Sequence, residues 1–252
     1  VFDLDVRGAR VAAPDPAHRV LTHRPGAQIT VRYRIQSAYA DDPQAQAGDP
    51  IKGPLLRPQG AALLGPLVFA TPEGRDLDRA TFRWGRLPRG WRGASDLEHG
   101  DMGRWMNVSD VRDSVTLAGP DLEVVERDSN GARLRIARLG GPEVEAAASA
   151  AMPVLAAQNA YWAAPPGPEL LALVGLAGQG GSAGGDGFLD GFALYAPADA
   201  AGQIAETTAL RNLESWIPAR LGRVEGPPAA TAWFAEGVSD FLAARILLRA
   251  GI

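Results

Sequence analysis

The stretch that decides the fold is Glu169-Leu170-Leu171-Ala172-Leu173-Val174-Gly175-Leu176, an apolar run that predicts a strand. An alanine-rich segment over 143–162 precedes it and predicts a helix, which Pro153 would kink or break. The glycine-rich stretch 178–187 follows and is interpreted as a flexible connection, because no Gly-Lys-Ser/Thr sequence completes a phosphate loop. A second strand is predicted over 192–195.

Upstream of this region the pattern predicts β-structure. Ile29, Val31, Tyr33 and Ile35 alternate with polar residues, as in a half-buried strand. Turn residues separate further predicted strands at 2–7, 66–70, 79–84, 113–118, 121–127 and 132–137. The segment 38–62 has no periodicity and is predicted to be a long loop. This spacing is typical of a β-sandwich.

The change of pattern near residue 140 predicts a domain boundary. We therefore expect an α+β protein of two domains, a β-rich N-terminal domain at 1–140 and a second domain at 141–252. Helices are predicted at 200–221 and 231–250. The last helix is expected to bury one apolar face, formed by Phe234, Val238, Phe241, Leu242 and Ile246.

Composition excludes several classes of protein. The chain has 252 residues, of which 46% are hydrophobic and 21% charged, with a net charge of −4 and no cysteine. These values exclude disorder, a disulfide scaffold and thiolate chemistry, and they argue against nucleic acid as a partner. No apolar stretch is long enough to predict a membrane span.

Two segments carry the most specific information: Leu210-Arg211-Asn212-Leu213-Glu214-Ser215-Trp216-Ile217-Pro218-Ala219-Arg220-Leu221-Gly222 and Trp233-Phe234-Ala235-Glu236-Gly237-Val238-Ser239-Asp240. Together they resemble the glycyl aminopeptidase family of thermolysin-like (gluzincin) zinc peptidases. In that family a His-Glu-x-x-His helix continues into x-Trp-x-Pro-x-Arg, and a later helix opens with Trp-x-x-Glu-Gly. The resemblance implies that residues 141–252 form the N-terminal portion of a thermolysin-like domain.

The same resemblance implies that the zinc site is degenerate. Alignment on Trp216 places Leu210 and Glu214 at the two histidine positions and Arg211 at the general-base glutamate, while Glu236 matches the third ligand. Leucine has no lone pair for a metal, and arginine is a permanent cation that cannot accept a proton from water. We therefore expect no catalytic residues and no zinc cofactor.

The aligned positions suggest a replacement for the metal. Arg211 is expected to pair with both Glu214 and Glu236; the alternative is a solvent-exposed Arg211–Glu214 pair worth about 0.3 to 0.5 kcal/mol. Residues 185–192 correspond to the family's substrate-edge strand, to which a peptide would add a further strand. The expected binding residues are Gly185, Gly187, Asp190, Arg211 and Glu236.

These expectations favour a non-catalytic peptidase homologue that binds a peptide or protein segment. One alternative is an active metallopeptidase with an atypical site, built from Glu214 and Glu236 together with Asp240 or Asp190. A metal-free hydrolase that uses Glu214 and Glu236 as acid and base is another. A third is an assembly module in which a missing C-terminal region or another subunit covers 231–252. The family resemblance favours a periplasmic or secreted protein and leaves a cytoplasmic location open.

Overall fold

The fold was analysed in a computed structural model, which describes residues 2–37, 53–98, 106–130, 132–163, 168–175, 181–188, 191–221, 224, 226–227, 230–231 and 233–252. The strands are β1 Phe2–Arg7, β2 Arg10–Ala12, β3 Val20–Thr22, β4 Thr30–Arg34, β5 Leu55–Arg57, β6 Gly60–Leu64, β7 Arg79–Ala80, β8 Arg92–Ser95, β9 Met106–Asn107, β10 Val115–Gly119, β11 Glu123–Ser129, β12 Ala132–Leu139, β13 Pro168–Gly175, β14 Gly184–Phe188 and β15 Gly191–Ala196. The helices are α1 Gly65–Val68, α2 Val108–Arg112, α3 Val144–Trp162, α4 Ile204–Leu221 and α5 Val238–Ala250. A 3-10 turn, Ala200–Gln203, precedes α4, and a π-helical turn, Trp233–Gly237, precedes α5.

A five-stranded mixed sheet forms the centre of the fold, in the order β11-β12-β13-β15-β14. Strands β12, β13 and β15 are parallel, whereas β11 and β14 pair with their neighbours antiparallel. Residues 170–174 of β13 are at most 1% exposed, which explains why this strand is an uninterrupted apolar run. The strand predicted at 192–195 is confirmed, and so is the one predicted at 169–176 as far as Gly175, since residue 176 lies outside the described residues.

Both faces of this sheet are covered. On one face, Leu171, Phe192 and Ile204 belong to a core that also contains the apolar side of α3. On the other face, a four-stranded antiparallel sheet in the order β5-β6-β10-β8 packs through residues such as Leu117. A third core lies between α3, α4 and α5. The result is a mixed α+β architecture, with helices and a second sheet on opposite faces of the central sheet.

The central sheet contains strands from both sides of the domain boundary predicted near residue 140. Strands β11 and β12 precede residue 140, yet β12 pairs in parallel with β13, which follows it. For example, Ile136 lies opposite Leu171. The sheet therefore includes strands from both sides of the predicted boundary, and the division into domains 1–140 and 141–252 stays a prediction.

Several local predictions for the N-terminal part are wrong. The strand predicted over 66–70 is replaced by α1, where the fixed φ of Pro66 suits the first helical turn. Only Arg79–Ala80 forms a strand within 79–84. The loop predicted over 38–62 contains β5 and the start of β6, while residues 38–52 lie outside the described residues.

Three predictions for the C-terminal part also need correction. Helix α3 continues through Pro153 instead of breaking there. Both Pro153 and Ser149, whose carbonyl loses its helical partner, are exposed, so water can satisfy that carbonyl. The glycine-rich stretch includes β14. Phe241 is 60% exposed rather than part of the buried face of α5, whereas Leu242 and Ile246 are buried.

Candidate functional site

Helix α4 places the motif residues Leu210, Arg211 and Glu214 on one flank. The side of α4 next to them is buried against α3 and α5 through Leu213 and Ile217, each 1% exposed. The 3.6-residue helical period leaves the three motif residues at the margin of this contact, where they are half-buried.

Two buried amides fix α4 against α3. The side chain of Gln158, on α3, donates to the carbonyl oxygen of Ala209 at 2.8 Å. Asn212, on α4, donates to the side-chain oxygen of Gln158 at 2.6 Å. Because both amides are at most 3% exposed, these hydrogen bonds hold the motif helix in one rotational setting.

Arg211 and Glu214 form an ion pair on the half-buried flank. The Nη1 atom of Arg211 donates to Oε1 of Glu214 at 2.6 Å, and the two side chains are 26% and 24% exposed. Their spacing of three residues makes them neighbours on the helix surface. Both sequence interpretations include this Arg211–Glu214 contact, and the structure contains it. The two side chains are less exposed than a solvent-exposed pair and more exposed than a buried network would be.

Glu236 stands apart from this pair. It lies in the π-helical turn that precedes α5, and its side chain is exposed. The hydrogen bonds and salt bridges of the described residues include none to its carboxylate. The three-membered network expected from the sequence is thus reduced to a pair. Single π turns within helices are often found at functional sites.

Strand β14 carries Gly185 and Gly187 along the edge of the central sheet, as far as the described residues extend. The turn before it is tied to the start of α4, because the backbone N–H of Ala183 donates to the side chain of Gln203 at 2.7 Å. From there α4 packs along β14. The fold therefore brings the motif helix beside the edge strand, while Asp190 lies outside the described residues.

Packing gives a sufficient reason for glycine at position 185. A Cβ atom there would lie 2.1 Å from the backbone oxygen of Ala193, which a side chain cannot tolerate. By contrast, a Cβ atom at Gly184 would meet nothing within 4 Å. Gly185 is therefore required for the close pairing of β14 with β15, whether or not a ligand binds this strand.

Sequence analysis missed Thr208, which lies three residues before Arg211 on α4. Its side chain is fully buried, and its Oγ1 has no hydrogen-bond partner among the residues that the structure describes. Within the same residues, the Nε atom of Arg211 is also buried without a partner. A buried donor without a partner lowers the folding stability by about 1 to 3 kcal/mol. Two such donors about one helical turn apart are therefore unusual. The sequence feature that could have indicated Thr208 is a hydroxyl side chain about one helical turn before Arg211, a charged residue of the motif.

The residues at this site do not fit a zinc ion. Leu210 offers no donor atom, the Arg211 guanidinium repels a cation, and the Glu214 carboxylate already accepts from Arg211. Within the ranges that the structure describes, no three His, Cys, Asp or Glu side chains gather in a way that could hold a metal. His18 and His23 lie in the N-terminal part of the chain, and His99 falls outside those ranges.

Comparison with known proteins finds a structural relative. The crystal structure of an aminopeptidase N family protein from Idiomarina loihiensis is similar to this chain, with a TM-score of 0.72 and 16% sequence identity. The similarity covers 99% of this chain and 46% of that protein, so the chain spans less than half of its relative. No protein-family model matches the sequence, and no curated protein matches it either.

At this low identity, the comparison establishes a shared fold and no more. The chain has a mixed α+β fold like that of the aminopeptidase N family protein. Its activity has to be argued from its own residues. None of the described helices is long and apolar enough to cross a membrane.

Proposed function

We propose that this chain is a non-catalytic homologue of zinc aminopeptidases that retains a peptide-binding groove between β14 and α4. The observation that carries the proposal is the Arg211–Glu214 ion pair, with its 2.6 Å contact at the aligned general-base and second-histidine positions. A general base must accept a proton from water, and a guanidinium cannot do so near neutral pH. The carboxylate nearest to it is already paired with that cation.

The proposed groove uses backbone chemistry that needs no metal. Among the described strands, β14 pairs only with β15, so its second edge offers N–H and C=O groups to an extended peptide. At Gly184 a Cβ atom would meet nothing within 4 Å, so the start of this strand has open space beside it. The remaining parts of the proposal are a β-rich domain before residue 140, a thermolysin-like domain after it, no metal cofactor and a periplasmic or secreted location.

Metal content and hydrolysis test the loss of catalysis. The purified protein should hold no stoichiometric zinc after equilibration with excess zinc, and it should not cleave aminoacyl-p-nitroanilides. The control is the triple variant Leu210→His, Arg211→Glu, Glu214→His, which should bind zinc with help from Glu236 if the alignment on Trp216 is right. Tight stoichiometric zinc or turnover in the unmodified protein would overturn the proposal. It would instead support an atypical metallopeptidase, whereas failure of the triple variant would refute the alignment.

An exposed apolar surface favours a second candidate, an assembly module. Trp233, Phe241 and Leu248 lie on the π-helical turn and α5, Ile252 follows α5, and the four side chains are between 46% and 80% exposed. Phe241 and Leu248 are seven residues apart and therefore share one face of α5, and exposed apolar patches often mark interaction surfaces. In light scattering, a dimer that Phe241→Ser returns to a monomer would support this role, and a monomer at high concentration would contradict it.

A further inference from the structure

Arg211 has hydrogen-bonding capacity that the described part of the chain leaves unused. A guanidinium has five N–H donors, and the only hydrogen bond found for Arg211 within the described part of the chain runs from Nη1 to Glu214. The hydrogens of Nε and Nη2 point along another edge of the same plane. That edge is a two-pronged donor, the arrangement that matches a planar carboxylate.

Thr208 adds a second unused donor on the same side of α4. Its Oγ1 and the Nε of Arg211 are two of the four buried side-chain polar atoms that lack a partner in the described residues. Residues three apart on a helix are neighbours on its surface. Two unsatisfied donors in adjacent positions indicate a missing acceptor, and a carboxylate could serve both.

The position of this donor edge connects it with the groove. Ile204, Thr208 and Arg211 follow the i, i+4, i+7 spacing, and Ile204 lies in the core formed with the central sheet. These three residues therefore form a row on α4 that begins at the core of the central sheet and ends at Arg211. The same helix packs along β14. The Arg211 side chain as a whole is 26% exposed, but its Nε atom is buried, so contact of a ligand oxygen with Nε requires neighbouring side chains to move.

We infer that Arg211 binds a carboxylate of the peptide ligand through its Nε–Nη2 edge, with Thr208 as a supporting donor. This inference rests on the proposed peptide groove and specifies its ligand class: an extended segment that ends in a free carboxylate or carries an acidic side chain. A dianionic phosphate suits the site less well, because the Glu214 carboxylate that pairs with Arg211 adds negative charge beside the donor edge. In this chain, the site would thus recognise an anionic group at the place where the zinc peptidases bind their metal.

The test compares two peptides that differ only at the C-terminus. Acetyl-tetraalanine with a free carboxylate should bind at least about tenfold more tightly than its C-terminal amide, as measured by isothermal titration calorimetry. Arg211→Lys keeps the charge but removes the two-pronged edge, and it should reduce this ratio to about one. Thr208→Val should lower it several-fold. The matched control is Arg245→Lys, at an exposed position of α5, which should leave the ratio unchanged.

The possible failures are distinguishable. If both peptides bind equally and Arg211→Lys changes neither affinity, the groove stands and carboxylate recognition is refuted. If neither peptide binds, the proposed groove fails and this inference fails with it. Inorganic phosphate is included as a competitor, and displacement of the carboxylate peptide at lower concentrations than acetate requires would overturn the assignment to carboxylates. Melting curves of each variant check that a lost ratio does not reflect unfolding.

Discussion

The Arg211–Glu214 pair allows a quantitative test through the variants Arg211→Ala, Glu214→Ala and their combination. Fully exposed pairs on helices contribute about 0.3 to 0.5 kcal/mol, whereas breaking a fully buried pair costs about 3 to 5 kcal/mol. With side chains about one quarter exposed and a contact of 2.6 Å, we expect a coupling free energy of about 1 kcal/mol. In a protein of this size, that corresponds to about 2 to 4 °C in melting temperature.

The chain supplies its own control for this double-mutant cycle. Arg75 and Asp78 have the same three-residue spacing, but their contact is 3.4 Å and their side chains are 66% and 55% exposed. Their coupling should be at most about 0.3 kcal/mol and should vanish in 1 M salt, where the screening length is about 3 Å. Urea denaturation of both cycles provides the measurement. Equal coupling in the two pairs would refute the claim that partial burial strengthens the Arg211 pair.

Three further predictions follow from packing, partial burial and metal chemistry. Gly185→Ala should lower the free energy of unfolding by about 2 kcal/mol or more, while Gly184→Ala should change it by less than about 0.5 kcal/mol; equal effects in urea denaturation would contradict the packing argument. Glu98→Ala should lower the free energy of unfolding by about 2 to 3 kcal/mol and shift the tryptophan fluorescence, because the Glu98 carboxylate accepts from Arg135 at 2.5 Å and from the Trp84 indole. Unchanged stability and fluorescence would show that these contacts do not stabilise the fold. Treatment with EDTA should leave the melting temperature within about 1 °C, since only a ligand of the folded state raises it; a fall of several degrees would reveal a bound metal.

Much of the candidate site could be predicted because it depends on local spacing. The motif helix is confirmed, since the structure has a 3-10 turn and α4 over residues 200–221. Contact between Arg211 and Glu214 follows from their spacing on that helix. The separation of Glu236 from the pair could not be predicted, because its position depends on the π-helical turn and on how α5 docks.

Glycine was the least reliable guide to local structure. The stretch 178–187 is typical of a flexible connection by composition, yet Gly184–Phe188 forms β14. Whether this stretch forms a strand depends on its pairing partner β15. Position 185 lies so close to Ala193 that only a residue without a Cβ atom fits there. Composition alone cannot distinguish a glycine needed for flexibility from one needed for close approach.

The sequence by itself determined the mixed α and β content, the helices that carry the motif and the chemistry that argues against zinc. These depend on residue type and on periodicities within single elements, which neighbouring residues set. Only the tertiary structure decided that β12 pairs with β13 across the predicted boundary and that Thr208 and Arg211 bury donors with no partner among the described residues. Strand pairing and burial depend on residues far apart in the chain, and no local pattern encodes them.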